Sequence, residues 1–238
     1  MSATLQAVIL AGGLATRLGE AARSTPKSLL PVAGRPFLAW QLERLAGCGY
    51  RDVLVLTGHL GDAVASFVGD GASFGVRART LADGPELLGT AGALRHALGE
   101  LDDEFLVTYG DSYLPFDYSA PLADLRAHLG ALGTMAVFPN AGRWDASNTL
   151  IRGDMVVRYE KGTKDPELDH IDYGATALRR SVVAAMPAGV VRGLDAVQTE
   201  LAKKGSLRAY VAAQRFYEIG SPEGLAELER ALSSGEIP

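Results

Sequence analysis

Three short runs, Ala7-Val8-Ile9-Leu10, Val53-Leu54-Val55-Leu56 and Phe105-Leu106-Val107-Thr108, constrain this chain more than any other feature. They are almost wholly apolar, with no polar alternation and so no face for water. Each reads as a strand covered on both sides. Between the first two, Phe37, Leu38, Leu42 and Leu45 fall on one stripe of a helix over Pro36 to Ala46, opened by Pro36 and closed by Gly47 and Gly49. Leu60 to Val68 and Ala91 to Leu101 are the next helices. Strands that alternate with helices specify βαβ units and a mostly parallel sheet.

Further on, the pattern predicts a helix from Pro121 to Leu132, a strand at Met135 to Pro139, and a hairpin of Thr149-Leu150-Ile151 with Val156 to Tyr159 across Arg152-Gly153-Asp154. A helix over Ala196 to Lys203, a strand at Leu207 to Ala212 and a last helix opened by Ser221-Pro222-Glu223 complete the chain. The expectation is one α/β domain over residues 1–238: doubly wound and Rossmann-like, with a mostly parallel, mixed sheet and a small β annex.

A net charge of -5 argues against a nonspecific nucleic-acid binder, which needs a basic excess to neutralise backbone phosphates. The single cysteine, Cys48, rules out a disulfide within the chain and a cysteine-built zinc site, and suits a reducing cytoplasm. No apolar run approaches the roughly 20 residues that span a bilayer, and no basic-then-apolar leader opens the sequence. Cytoplasmic location and no membrane partner are therefore expected.

The chemistry is concentrated in Leu10-Ala11-Gly12-Gly13-Leu14-Ala15-Thr16-Arg17-Leu18, directly after the first strand, with Pro26-Lys27 and Pro31-Val32 downstream. Glycines let backbone N–H groups approach a phosphate, and Arg17 and Lys27 supply positive charge for a triphosphate. A glycine pair after a strand also serves a plain tight turn. The spacing is neither the P-loop nor the dinucleotide fingerprint. Gly110-Asp111 ends the third apolar strand, at the carboxyl edge where open α/β sheets put their ligands. There Asp111 suits Mg²⁺, and the competing reading is an aspartate that caps a turn.

Gly12-Gly13-x-Ala15-Thr16-Arg17-Leu18, Thr25-Pro26-Lys27, Pro31 to Leu38, Leu88-Gly89-Thr90-Ala91-Gly92-Ala93-Leu94, Gly110-Asp111, Glu160-Lys161 and Ile219-Gly220-Ser221-Pro222-Glu223 together resemble the sugar-phosphate nucleotidyltransferase family. The wording is most similar to mannose-1-phosphate and heptose-1-phosphate guanylyltransferases; some thymidylyl- and uridylyltransferases carry similar wording. The resemblance implies that the glycine loop (Leu10, Ala11, Gly12, Gly13, Thr16) holds the nucleotide, that Arg17 grips the β and γ phosphates, and that Lys27 steadies the α phosphate. It implies base and ribose contacts at Gly89 and Thr90 and an acceptor-phosphate contact at Lys161. A second metal carboxylate is implied at Glu218, where the family usually has aspartate. Asp172-Tyr173-Gly174 stands where many relatives have Asn-Ala-Gly against sugar hydroxyls.

Trp144 and Asn148 lie in a polar loop whose composition suits sugar stacking and hydroxyl recognition, or else a Trp packed under the hairpin. On this resemblance residues 1–120 bind mainly nucleotide and 121–238 mainly acceptor. The expected reaction transfers NMP from an NTP, with GTP favoured, to a sugar 1-phosphate with Mg²⁺. The alternatives are a non-sugar acceptor such as phosphocholine and an NTP-binding regulatory protein without turnover. A homo-oligomer is compatible with the sequence.

Overall fold

The computed structural model describes residues 4–13, 25–84 and 86–238. In chain order the strands and α-helices are β1 (Leu5–Leu10), β2 (Pro31–Val32), β3 (Arg35–Pro36), α1 (Phe37–Gly47), β4 (Tyr50–Thr57), α2 (Gly61–Val68), β5 (Arg77–Ala82) and α3 (Gly89–His96). There follow β6 (Glu104–Tyr109), β7 (Ser112–Tyr113), α4 (Ser119–Ala127), β8 (Gly133–Pro139), β9 (Thr149–Arg152) and β10 (Met155–Tyr159). The last are β11 (His170–Arg179), α5 (Arg180–Ala184), α6 (Leu194–Lys203), β12 (Leu207–Val211), β13 (Tyr217–Glu218) and α7 (Pro222–Ser233).

The chain forms two compact units, and neither is continuous in sequence. The first is Met1–Leu87, Thr108–Pro115 and Phe216–Pro238; the second is Leu88–Val107 and Phe116–Arg215. The last 23 residues join the amino-terminal portion.

In the first unit β4 pairs in parallel with both β1 and β5, with Val53 opposite Ala7 and Ala78. Apolar burial on both faces explains the uninterrupted runs: Ala7, Val8, Ile9, Val53, Leu54 and Val55 have no exposed surface. Helix α1 buries the predicted stripe of Phe37, Leu38, Leu42 and Leu45, and its Pro36 precedes the first helical residue instead of occupying it. Ser221 caps α7 through its hydroxyl, which accepts from the Gly224 N–H at 3.1 Å, with Pro222 at the first helical position. That helix packs Leu228 and Ala231 with Val32, Phe37, Tyr113, Tyr217 and Ile219.

The second unit has a mixed sheet in the order β11-β8-β12-β10-β9. The predicted hairpin is present, β9 and β10 pairing antiparallel. Two predicted helices are shorter than expected: α3 stops at His96 before a separate turn at Leu98–Glu100, and α4 stops at Ala127. Strands β5 and β11 were not expected. β5 alternates charge with small apolar residues, and β11 carries Asp172 and Gly174 within its span, so neither shows an apolar run.

Candidate functional site

In the first unit the loop after β1 lies against the loop after β4. A Cβ at Gly12 would stand 3.2 Å from the Gly58 nitrogen, and one at Gly58 would stand 2.8 Å from the Gly12 oxygen. Packing therefore excludes a side chain at Gly58 and leaves little room for one at Gly12. At Gly13 an added Cβ would meet nothing within 4 Å among the described residues. Leu10 and Ala11 are held by main-chain bonds: Leu10 accepts from the Gly110 N–H at 2.9 Å, and the Ala11 N–H donates to Leu56 at 2.8 Å. Thr16 and Arg17 lie outside the described residues.

The same loop receives the end of β6. A Cβ at Gly110 would fall 2.9 Å from the Leu10 oxygen and 3.0 Å from the Ala11 Cα, so only glycine lets this turn close on the loop. Asp111 follows at once. Its Oδ2 accepts from the Lys27 Nζ at 2.6 Å, and its Oδ1 accepts from the Ser112 hydroxyl at 3.3 Å. The carboxylate thus caps no turn; it faces a cation and keeps 37% of its surface open, whereas the Lys27 side chain keeps 14%. Lys27 is set by the short 3-10 turn Lys27–Leu29 that follows Pro26.

Glu218 comes from the far end of the sequence. Strand β13 pairs antiparallel with β7, which sets Glu218 opposite Ser112, and the Ile219 N–H donates to the Asp111 carbonyl at 3.0 Å. Gly224 is needed there as well, since a Cβ would stand 2.3 Å from the Glu218 carbonyl oxygen. Glu218 is exposed. Lys27 and Asp111 thus meet beside the glycine loop, and Glu218 lies on the strand paired with β7, all within one unit. No group of three or more His, Cys, Asp or Glu side chains among the described residues forms a metal cage.

Gly89 and Thr90 belong to the second unit and have a packing account of their own. Gly89 takes φ +72°, and a Cβ on it would lie 2.6 Å from the Arg192 oxygen. That oxygen accepts from the Ala91 and Gly92 N–H groups at 2.9 and 3.2 Å, satisfying donors at the start of α3. The Thr90 hydroxyl accepts from the Leu194 N–H at 2.7 Å, so it caps α6 and not its own helix.

The expected acceptor residues separate by environment. Strand β11 loses register with β8 between Asp172 and Thr176, the extra residues forming a bulge around Gly174 at φ +96°. At this bulge the Asp172 carboxylate accepts from the Gly174 N–H at 3.0 Å, the Tyr159 hydroxyl at 3.2 Å and the Gln198 amide at 3.5 Å. Burial pushes the Asp172 carboxyl above its ordinary range, against the pull of these bonds and of the Lys161 charge. Asn148 braces the same place, its Oδ1 accepting from the Asp172 N–H at 2.8 Å and the Thr149 hydroxyl at 2.9 Å.

Tyr173 instead turns inward. It is 1% exposed and meets Phe116 edge-on at 5.0 Å, so packing accounts for its ring. Lys161 is exposed on the loop after β10, which Arg158 gathers by binding Glu160 at 2.9 Å and Asp165 at 2.8 Å. Trp144 is 47% exposed with the Arg215 guanidinium 3.8 Å from its ring centre, and so is not packed under the hairpin. Gln198, Tyr159 and Gln41 were not singled out from the sequence; their partners lie 13 to 71 residues away, beyond the range of local patterns.

Residues 7–209 match the MobA-like NTP transferase domain. The chain is 29% identical over 237 residues to a mannose-1-phosphate guanylyltransferase of Mycobacterium tuberculosis, covering 96% of this chain and 66% of that protein. It is 27% identical over 220 residues to a D-glycero-alpha-D-manno-heptose 1-phosphate guanylyltransferase of Campylobacter jejuni, covering 92% of this chain and 96% of that one. The crystal structure of HddC from Yersinia pseudotuberculosis shares the fold, with a TM-score of 0.79 at 22% identity over 96% of this chain and 100% of that one.

Proposed function

We propose, from the premise that this chain belongs to the family of MobA-like NTP transferase domains, that it moves NMP from an NTP to a sugar 1-phosphate and releases pyrophosphate. The observation that carries this reading is the 2.6 Å contact of Lys27 with Asp111, on a turn that only glycine lets close against the glycine loop. An ammonium paired with a partly open carboxylate is what a triphosphate with its cation would separate, each half then meeting its own partner.

The residues fit Mg²⁺. Asp111 offers a half-open carboxylate already neutralised by a cation, and Glu218 stands on the strand paired beside it; Mg²⁺ is commonly held by one or two carboxylates plus substrate phosphates. Once bound, the ion would offset charge on the phosphate oxygens. Lys27, freed from Asp111, steadies the α phosphate, and Arg17 binds the β and γ phosphates. An oxygen of the acceptor phosphate attacks the α phosphorus as the bond to the β-phosphate oxygen breaks. The acceptor phosphate is already ionised at neutral pH, so no side-chain base is required.

Lys161 receives the acceptor phosphate, while Asp172, Asn148 and Trp144 meet the sugar and Tyr173 and Gly174 shape the bulge beneath. Gly89 and Thr90 present the base-side backbone. GTP is the favoured donor, on the similarity to two guanylyltransferases. The test is pyrophosphate release with Mg²⁺, crossing GTP, dTTP, UTP, CTP and ATP against hexose and heptose 1-phosphates and phosphocholine. Release with one NTP and one sugar phosphate, lost in Asp111→Ala, is the expected result. NTP binding without release for any acceptor would replace this reading with a regulatory one.

A further inference from the structure

We infer that Gln41 is a positioning residue that sets the carboxylate of Asp111 for a divalent cation, an inference that rests on the proposed metal role of Asp111. Gln41 lies on α1, 1% exposed, among leucines and a phenylalanine. Its amide nitrogen donates to the Tyr109 carbonyl and to the Ser112 carbonyl, each at 2.8 Å. Those two oxygens flank Gly110-Asp111, so both hydrogens of one amide hold the two ends of one turn.

Two more bonds complete the clamp, from the Gly110 N–H to Leu10 and from the Ile219 N–H to Asp111. Both are main-chain pairs that use no side-chain donor. The remaining pair depends on a side chain with two donors at this one place on α1.

The other end of the same amide argues that the donors are what matter. The Gln41 oxygen is buried and has no hydrogen-bond partner among the described residues. Such an oxygen is costly, and a leucine or methionine would avoid the cost while filling the core. Packing alone does not favour glutamine at 41. The return for the buried oxygen is a fixed turn, and with it a fixed direction for the Asp111 side chain. Metal binding depends on such outer supports, whose loss typically weakens affinity tenfold to a hundredfold.

The experiment uses the full chain and Mn²⁺ as a spectroscopic probe. Bound and free Mn²⁺ are counted by electron paramagnetic resonance for the parent, Asp111→Ala, Gln41→Met and Gln41→Glu, with melting curves alongside. The expected result is binding by the parent and none by Asp111→Ala. Gln41→Met should bind about tenfold more weakly while melting as a folded protein, and Gln41→Glu more weakly still, because an ionised carboxylate there faces two carbonyl oxygens.

Parent-like Mn²⁺ affinity in folded Gln41→Met, with Asp111→Ala inactive for binding, would overturn the inference and leave the function standing. No Mn²⁺ binding and no pyrophosphate release by the parent would overturn both. Should Gln41→Met not fold, Gln41→Asn, which keeps the amide on a shorter stem, carries the same comparison.

Discussion

Asp111 and Asp172 are the same residue in opposite settings. Each sits at a glycine-bearing irregularity, Asp111 just after Gly110 and Asp172 two residues before Gly174 at the bulge of β11. Asp111 meets an ammonium and remains open; Asp172 meets a peptide N–H, a phenol and an amide, and burial raises its carboxyl. A carboxylate held by a detachable cation can trade that cation for a metal. One hydrogen-bonded to neutral donors within a fixed bulge, with the Lys161 charge near enough to pull on it, presents a direction and a shape. The first arrangement suits chemistry and the second suits recognition.

The largest effect should therefore come from breaking the charged pair. Asp111→Ala and Lys27→Ala are each expected to lower kcat by about 10³-fold, the loss typical when one fixed electrostatic partner of a transition state is removed. Lys27→Met should also separate the two residues' duties: turnover falls while Mn²⁺ binding in the absence of nucleotide tightens, because Asp111 no longer shares its Oδ2 with an ammonium. Unchanged Mn²⁺ affinity in that variant would mean that the pair does not compete with metal, and the reading of Lys27 as a placeholder would fail.

Asp172 should respond differently. Asp172→Asn and Tyr159→Phe are expected to raise KM for the acceptor about tenfold, a loss near 1.4 kcal/mol, with kcat changed little. A kcat loss for Asp172→Asn as large as that of Asp111→Ala would erase the contrast between the two sites. Measuring both variants against one acceptor decides it.

The two sites also differ in how far they could be read in the sequence. Gly12 and Gly110-Asp111 are legible because each is a short motif at the end of an apolar strand, although the backbone that leaves no room for a Cβ there comes from distant segments, Gly58 and Leu10-Ala11. Ser221-Pro222 is legible as a short motif too, as one residue caps and the next starts a helix. The bulge is not. Asp172 and Gly174 interrupt the apolar pattern of β11, so a ten-residue strand reads as a binding loop.

The partners of these residues were beyond local reach too: Gln198 lies 26 residues from Asp172, and Gln41 lies 68 and 71 from the carbonyls it holds. The return of residues 216–238 to the first unit, which brings Glu218 beside Ser112, is likewise set by long-range packing of α7 on Val32, Phe37 and Tyr113. Local patterns announce what a residue cannot be without, but not which distant residue will meet it.

The smallest expected effect is on stability, and its sign follows from the burial of Asp172. The folded carboxyl titrates above its ordinary value, so the folded state favours the neutral form. That contribution is complete below the unfolded value and is lost as pH rises through the raised folded value. Asparagine at 172 stays neutral throughout: its oxygen can still accept from the Gly174 N–H, and its amide nitrogen, in place of the second carboxylate oxygen, can donate to the Tyr159 hydroxyl oxygen. If Gln198 turns its amide, the new Asn amide can donate to the oxygen of Gln198, which lacks a partner among the described residues. The melting temperature of Asp172→Asn minus that of the parent should thus rise from pH 4 to pH 8, by a few degrees at most. A difference that stays flat over that range would mean that Asp172 is held as strongly when charged as when neutral, and its contrast with Asp111 would then lie in position alone.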